Sequence, residues 1–221
     1  RVLNPVGVVS IESPVRRQAG QVVPWDEMQA ISHLCAEQAI PVHLDGARLY
    51  MMSVATGIGI RDYADLFDSV YVSMYKYFGA PFGAVLAGSS EFMEGMFHDR
   101  RTFGGGLSSA YLIAGLALDG MDGFENRYRE AFEKATSLFT DINNLAAVTV
   151  RKFDHGSNIF ELVIDPEIDT DRFVGKLFDL GIVIRWPNDS WPIPLLHVNT
   201  TMLRRPNAEI AEAFVVAASS G

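Results

Sequence analysis

Disulfide bonds and membrane spans are both excluded by what this sequence lacks. It contains a single cysteine, Cys35, so it cannot form an internal disulfide bond. Cys35 lies in a helical pattern, which indicates a buried and unreactive thiol. A chain without disulfides suits a reducing compartment, and we therefore expect a cytoplasmic location. No apolar run approaches the roughly 18 residues that a membrane-spanning helix requires.

Basic residues are also scarce in this chain. Lys and Arg number 18 against 27 Asp and Glu, which gives a formal net charge of −9. Nucleic-acid binding depends on basic surfaces, so this balance argues against nucleic acid as the main partner. The sequence contains no glycine-rich phosphate loop of the Walker or Rossmann type, and its five histidines show no metal-ligand spacing. At 48% hydrophobic and 20% charged residues, the composition is that of an ordinary globular protein.

The stretch from Val70 to Gly88 is the most informative part of the chain. Its composition predicts a strand, a loop rich in glycine and proline, and a second strand. Lys76 lies at the end of the first strand, flanked by Tyr75 and Tyr77. Partial burial among aromatic rings disfavours the charged form of a lysine, and a neutral amine can attack a carbonyl to form a Schiff base. The alternative is a lysine whose stem packs on the tyrosines while its ammonium group reaches water.

A second informative stretch runs from Pro41 to Tyr50. Its first five residues predict a short strand, in which alternation places His43 and Asp45 on one face. The strand–helix–strand order around it predicts parallel pairing with a right-handed crossover. Ligands of parallel α/β sheets bind at the carboxyl ends of the strands, where both Asp45 and Lys76 are expected.

Two motifs together resemble one enzyme family. They are His-Leu-Asp-Gly-Ala-Arg at 43–48 and Tyr-Lys-Tyr-Phe-Gly-Ala-Pro-Phe-Gly at 75–83. They resemble the L-threonine aldolase/β-eliminating lyase family, whose members use pyridoxal phosphate (PLP) and have the fold-type-I, aspartate-aminotransferase-like architecture. The resemblance covers residues from about 11 to about 120. It implies that Lys76 forms a Schiff base with PLP and that Asp45 pairs with the pyridinium nitrogen.

The resemblance implies roles for three further residues. Arg48 would lie beside the cofactor ring and the substrate carboxylate. The family also recruits a small-domain arginine for that carboxylate, and Arg185 is the best-placed candidate. His43 either supports Asp45 or is a strand histidine that bonds a backbone carbonyl.

The loop from Glu12 to Gly20 departs from the pattern of the threonine aldolases. Those enzymes commonly place a histidine and an asparagine in this loop, whereas Val15 and Arg16 stand there in this chain. Arg16 either binds a substrate carboxylate or is a solvated loop arginine.

The resemblance implies an α/β fold in two parts. Residues 1–120 would form part of a PLP-binding, transferase-like large domain with a mostly parallel sheet. Residues 121–221 would contain a long linking helix and a small α+β domain. Within that domain, the apolar pattern from Gly181 to Arg185 predicts a strand.

The beginning of the chain also bears on its expected activity. The sequence opens at Arg1 on a strand-like pattern, and nothing in it matches the family's N-terminal segment, which carries the phosphate cradle and a ring-stacking histidine. We therefore expect a fragment that binds PLP weakly, turns over poorly and self-associates through an unpaired sheet edge. The family forms dimers and tetramers, which implies a homo-oligomer.

Two functions from different classes are compatible with these patterns. The first is a PLP-dependent carbon–carbon lyase of amino-acid metabolism, which cleaves a β-hydroxy-α-amino acid to glycine and an aldehyde. β-Elimination and transamination are close alternatives, because the same cofactor supports all three reactions. The second is a non-catalytic, truncated fold-type-I domain that keeps Lys76 and Asp45 without binding PLP.

Overall fold

The computed structural model describes residues 4–189 and 191–219, which form two compact units. One unit extends to Glu125 and the other begins at Asn126. Within the described part of the chain, no helix is both long and apolar enough to cross a membrane.

From residue 4 onwards, the first unit contains one four-stranded sheet and six α-helices. The strands lie in the order β1-β2-β3-β4; they are β1 (Val9–Glu12), β2 (Val42–Asp45), β3 (Ser69–Ser73) and β4 (Ala84–Gly88). The helices are α1 (Trp25–Glu37), α2 (Leu49–Thr56), α3 (Ile60–Ala64), α4 (Ser90–Met93), α5 (Met96–Thr102) and α6 (Ala110–Met121). Strands β1, β2 and β3 are parallel, and β4 is antiparallel to β3. The predicted α/β class with a mostly parallel sheet is therefore confirmed.

One face of this sheet is apolar and packs on helices. Leu44 of β2 and Val70 of β3 are buried there with Met28 of α1 and Met52 of α2. Burial of such side chains stabilises the fold by about 1.5–3 kcal/mol each. Side chains alternate between the two faces of a strand. The polar residues that alternate with these apolar ones therefore lie on the opposite face of the sheet.

In its described residues, the second unit has an antiparallel sheet, three α-helices and a short 3₁₀-helix, Thr200–Arg204. Its strands are β5 (Val148–Lys152), β6 (Ile159–Ile164) and β7 (Leu195–His197), in that order. Its helices are α7 (Phe124–Asn143), whose first two residues belong to the first unit, α8 (Thr170–Asp179) and α9 (Asn207–Ala218). The core of the unit contains Leu162 of β6, Phe173 of α8 and Phe214 of α9, all fully buried.

The strand predicted from Gly181 to Arg185 is wrong. The backbone N–H groups of Gly181 and Ile182 donate to carbonyls at the end of α8, at 2.9 and 2.8 Å, so they are not available to a sheet. Arg185 alone forms an antiparallel bridge, with Leu195. Pro194 precedes Leu195 and has no N–H to donate, which limits the ladder on that side.

In the part of the chain that the structure describes, strand β4 is an edge of the sheet. In the described residues it pairs with β3 alone, and all five of its residues are exposed. It contains no lysine or proline, which are the residues that usually prevent edge-to-edge pairing. Val85 and Leu86 are 48% and 38% exposed, so apolar surface accompanies the free backbone groups.

We expect Leu86→Lys to reduce self-association of this chain, because a charge on an edge strand opposes strand pairing between molecules. The matched control is Leu34→Lys, which places the same charge on an exposed leucine of helix α1. Sedimentation velocity over a concentration series measures the effect. If both variants associate as the unmodified chain does, β4 is not the associating edge.

Candidate functional site

Polar side chains cover the second face of the parallel sheet. They stand in two rows across β1, β2 and β3. The first row is Ser10, His43 and Ser69, and the second is Glu12, Asp45 and Tyr71. The second row lies at the carboxyl ends of the strands, which is where parallel sheets bind ligands. A shift of one residue in the pairing register would move the Asp45 side chain to the face that packs on the apolar core. Packing of that core therefore keeps the carboxylate on the polar face.

A tight turn holds Asp45 and Arg48 near each other. The Oδ1 atom of Asp45 accepts a hydrogen bond from the Ala47 backbone N–H at 3.2 Å. Arg48 is the residue before helix α2, which begins at Leu49. Gly46 permits this turn, because a Cβ there would lie 3.2 Å from the Tyr71 carbonyl oxygen and 3.3 Å from Leu49. The turn therefore places a carboxylate and a guanidinium group at one end of β2.

Lys76 lies in the loop that joins β3 to β4. The Met74 N–H donates to the Gly83 carbonyl oxygen at 3.0 Å and closes this loop. Phe78 anchors this loop to the core. The Phe78 side chain is buried, and its ring centroid lies 5.0 Å from that of Phe124. Helix α6 packs so closely on the loop that a Cβ at Gly120 would overlap the Phe78 carbonyl group. The loop is therefore held firmly on the side away from solvent.

The electrostatic surroundings of Lys76 connect four of the predicted residues. Partial burial and the positive charge of Arg48 lower the pKa of Lys76. Tyr75 and Asp45 raise it to a smaller extent, and Arg16 lowers it slightly. The Lys76 Nζ atom also lies 5.6 Å from the centroid of the Tyr75 ring, in a cation–π contact. The structure thus brings Lys76, Asp45, Arg48 and Arg16 into one electrostatic cluster.

Arg16 is held by the loop that follows β1. It begins a short 3₁₀ turn, Arg16–Gln18, and its backbone N–H donates to Glu12 Oε1 at 2.8 Å. A bridge between Val15 and Gln21 closes the loop, with a 2.7 Å hydrogen bond from the Val15 N–H to the Gln21 carbonyl oxygen. The side chain of Arg16 is exposed. The loop is therefore fixed while the guanidinium group is free to meet a ligand.

His43 and Arg185 are not among the residues whose charges shift the pKa of Lys76. His43 bonds across the sheet, with its Nδ1 atom 2.9 Å from the Ser69 Oγ atom. The partner is a neighbouring side chain and not a backbone carbonyl group. Arg185 is an exposed residue of the second unit, where it bridges Leu195.

The sequence analysis did not identify two tyrosines of the site, Tyr71 and Tyr77, as candidate residues. Tyr71 stands opposite Asp45 in the register, and its hydroxyl accepts a hydrogen bond from the Ser73 Oγ atom at 3.1 Å. Alternation along β3 could have indicated Tyr71, because it shares the parity of Ser69 and Ser73. Tyr77 has a buried hydroxyl oxygen, and only the packed structure shows this.

The chemistry available here is that of an amine nucleophile beside a carboxylate and two guanidinium groups. Such a set can form a bond to a carbonyl carbon and hold anionic oxygens. Among the described residues, no group of three or more His, Cys, Asp or Glu side chains could hold a metal ion.

Comparison with known proteins identifies the family of this chain. The sequence model of the Beta-eliminating lyase family matches residues 3–164, which is most of the chain. The chain belongs to this family. A low-specificity L-threonine aldolase from Candida albicans is 40% identical over 118 residues, which are 53% of this chain and 31% of that protein. The family assignment confirms the resemblance carried by the two motifs.

Solved structures of the same family share the fold over the whole chain. A protein from Listeria monocytogenes, provisionally named an L-allo-threonine aldolase, superposes with a TM-score of 0.82 at 28% identity. That alignment covers 100% of this chain and 63% of the Listeria chain. A protein from Exiguobacterium, provisionally named an aromatic amino acid β-eliminating lyase/threonine aldolase, gives a TM-score of 0.79 at 25% identity, over 100% and 64% of the two chains. This chain therefore spans less than two thirds of the length of these relatives.

The lowered pKa of Lys76 predicts how its amine reacts. We expect a small acylating reagent to modify Lys76 at lower pH than an ordinary lysine, because the neutral amine persists to lower pH. Arg48→Met should move the midpoint of modification to higher pH, since it removes a charge that lowers the pKa. Asp45→Asn should move it to lower pH, since it removes a charge that raises the pKa. Peptide mass spectrometry across a pH series measures both, with Lys152 as internal reference. Midpoints that do not move in either variant would contradict the cluster.

Proposed function

We propose that this chain is part of a PLP-dependent carbon–carbon lyase, which cleaves a β-hydroxy-α-amino acid to glycine and an aldehyde. The observation that carries the proposal is the position of Asp45 at the end of β2 and of Lys76 in the loop after the adjacent parallel strand β3, where the charges of Asp45 and Arg48 both act on Lys76. The 40% identity to a low-specificity L-threonine aldolase supports this reaction in preference to β-elimination or transamination.

The residues of the cluster fit PLP. Lys76 would attach the cofactor, because its lowered pKa leaves more of its amine in the nucleophilic form. Asp45 would pair with the ring nitrogen, and its hydrogen bond from Ala47 fixes the carboxylate for that contact. Arg48 and Arg16 would hold anionic oxygens of the cofactor or the substrate, as guanidinium groups do well. When bound, PLP supplies an electron sink for the bond that breaks at the substrate α-carbon.

The proposal also assigns roles to His43 and Arg185. His43, bonded to Ser69, would stiffen the strand that carries Asp45. Arg185 would bind the substrate carboxylate, and its exposed side chain is available for a ligand. A homo-oligomer and a cytoplasmic location also remain predictions, supported by the family resemblance and by the single cysteine.

We expect Asp45→Asn to retain cofactor binding and to lose activity on the order of 100-fold, the scale for removal of a preorganised electrostatic partner. The asparagine keeps the size of the side chain but cannot hold a proton on the ring nitrogen. The test measures retro-aldol activity as aldehyde release from threonine. The assay uses the protein expressed at the full length that its gene encodes. Asp68→Asn is the matched control, since Asp68 accepts a hydrogen bond from the Val42 N–H at the opposite end of β2. Full activity in Asp45→Asn would show that this carboxylate is only structural.

A further inference from the structure

The second unit contains a cavity of about 490 Å³ beside strand β7. This volume lies within the range of small-molecule binding sites, roughly 300–1,000 Å³. The walls of the cavity come from helices α7 and α9, from β7 and from the segment that follows α8. Apolar side chains form most of these walls, among them Leu138, Ile142, Ile182, Ile184, Leu196 and Phe214. A ligand that fills this cavity must therefore have an apolar part.

The cavity exists because the segment after α8 does not join the sheet. Gly181 has a φ of +76°, a left-handed conformation that ends the helix and turns the chain. Among the described residues, the bridge between this segment and β7 joins Arg185 to Leu195, with backbone hydrogen bonds of 3.0 and 3.1 Å. Residues 182–184 and 196–198, which a longer antiparallel ladder would pair, line the cavity instead.

Two consecutive arginines, Arg204 and Arg205, also line the cavity. Arg205 is partly buried and already bonded within the protein. Its Nη1 atom donates to the Leu180 carbonyl oxygen at 2.8 Å, and its Nε atom lies 3.5 Å from Glu209 Oε2, so the charge of Glu209 offsets that of Arg205. Arg204 is exposed and, among the described residues, forms no ion pair. The cavity therefore offers a ligand one uncompensated positive charge, on Arg204.

We propose that this cavity binds an amphipathic carboxylate, whose apolar tail enters the cavity and whose carboxylate group binds the Arg204 guanidinium group. A guanidinium group can bind a carboxylate through two parallel hydrogen bonds. The single negative charge of a carboxylate matches Arg204, whereas the nearby Glu209 would repel the second charge of a phosphate monoester. Burial of the tail against the apolar walls supplies the rest of the affinity. The inference uses residues of the second unit only, so it does not rest on the proposed lyase function.

The test uses octanoate as the probe and 1-octanol as its uncharged counterpart. Both have the same hydrocarbon chain, so a difference in affinity reports the contribution of the carboxylate group. Dissociation constants are measured by calorimetry on the 221-residue chain, below the concentration at which octanoate forms micelles. We expect 1-octanol to bind about tenfold more weakly than octanoate, the scale for a hydrogen bond between charged groups.

Two variants separate the two parts of the ligand. Arg204→Gln should weaken octanoate by about tenfold and leave 1-octanol unchanged, because it removes only the charge. Its matched control is Arg151→Gln, since Arg151 is an exposed arginine of β5, at the opposite edge of the sheet from β7. Ile182→Phe should weaken both ligands by about tenfold, the equivalent of about two displaced methylene groups, because the larger side chain occupies part of the cavity.

Three results would overturn the inference. The first is failure of the unmodified chain to bind octanoate. The second is equal affinity for octanoate in Arg204→Gln and Arg151→Gln, which would show that the carboxylate group lies elsewhere. The third is unchanged affinity for both ligands in Ile182→Phe, which would show that the tail binds outside the cavity. Thermal unfolding checks that each variant is folded, and Met202→Trp, at a partly buried position of the wall, replaces Ile182→Phe if the latter does not fold.

Discussion

The parallel pairing of β2 with β3 is the constraint on which the candidate site depends. Asp45 stands opposite Tyr71 in this register, and the loop that follows β3 contains Lys76. Parallel strands run in the same direction, so their carboxyl ends coincide and two residues distant in sequence become neighbours. The buried pair Leu44 and Val70 holds that register from the opposite face. The apolar core thus positions the polar residues without touching them.

Charge distribution gives this cluster its chemical character. Lys76 interacts electrostatically with two further cations, Arg48 and Arg16, and with the carboxylate of Asp45. Partial burial lowers the pKa of Lys76, and the charges of Arg48 and Arg16 lower it further. These cations suit an anionic ligand, although the chain as a whole carries a net charge of −9. A lysine with a lowered pKa can form a Schiff base with an aldehyde. Two arginines beside it can bind a phosphate group on the same molecule.

The sequence predicted those parts of the site that depend on local pattern. Alternation along β2 placed His43 and Asp45 on one face, and the strand–helix–strand order predicted parallel pairing. The partner of His43 and the position of Tyr71 opposite Asp45 depend on the register between strands, which alternation within one strand cannot give. The strand predicted from Gly181 to Arg185 failed for a different reason, because the end of α8 uses the backbone donors that a strand would need. Solvent exclusion at the Tyr77 hydroxyl group arises from three-dimensional packing, so no sequence pattern indicates it.

The most direct test of this account is the identity of the lysine to which PLP becomes attached. The chain contains four lysines, at positions 76, 134, 152 and 176. Borohydride reduction of the protein mixed with PLP converts a Schiff base into a stable amine, and peptide mapping then locates the label. We expect a label on Lys76 that Lys76→Ala abolishes. A label on Lys134, Lys152 or Lys176 in place of Lys76 would contradict it.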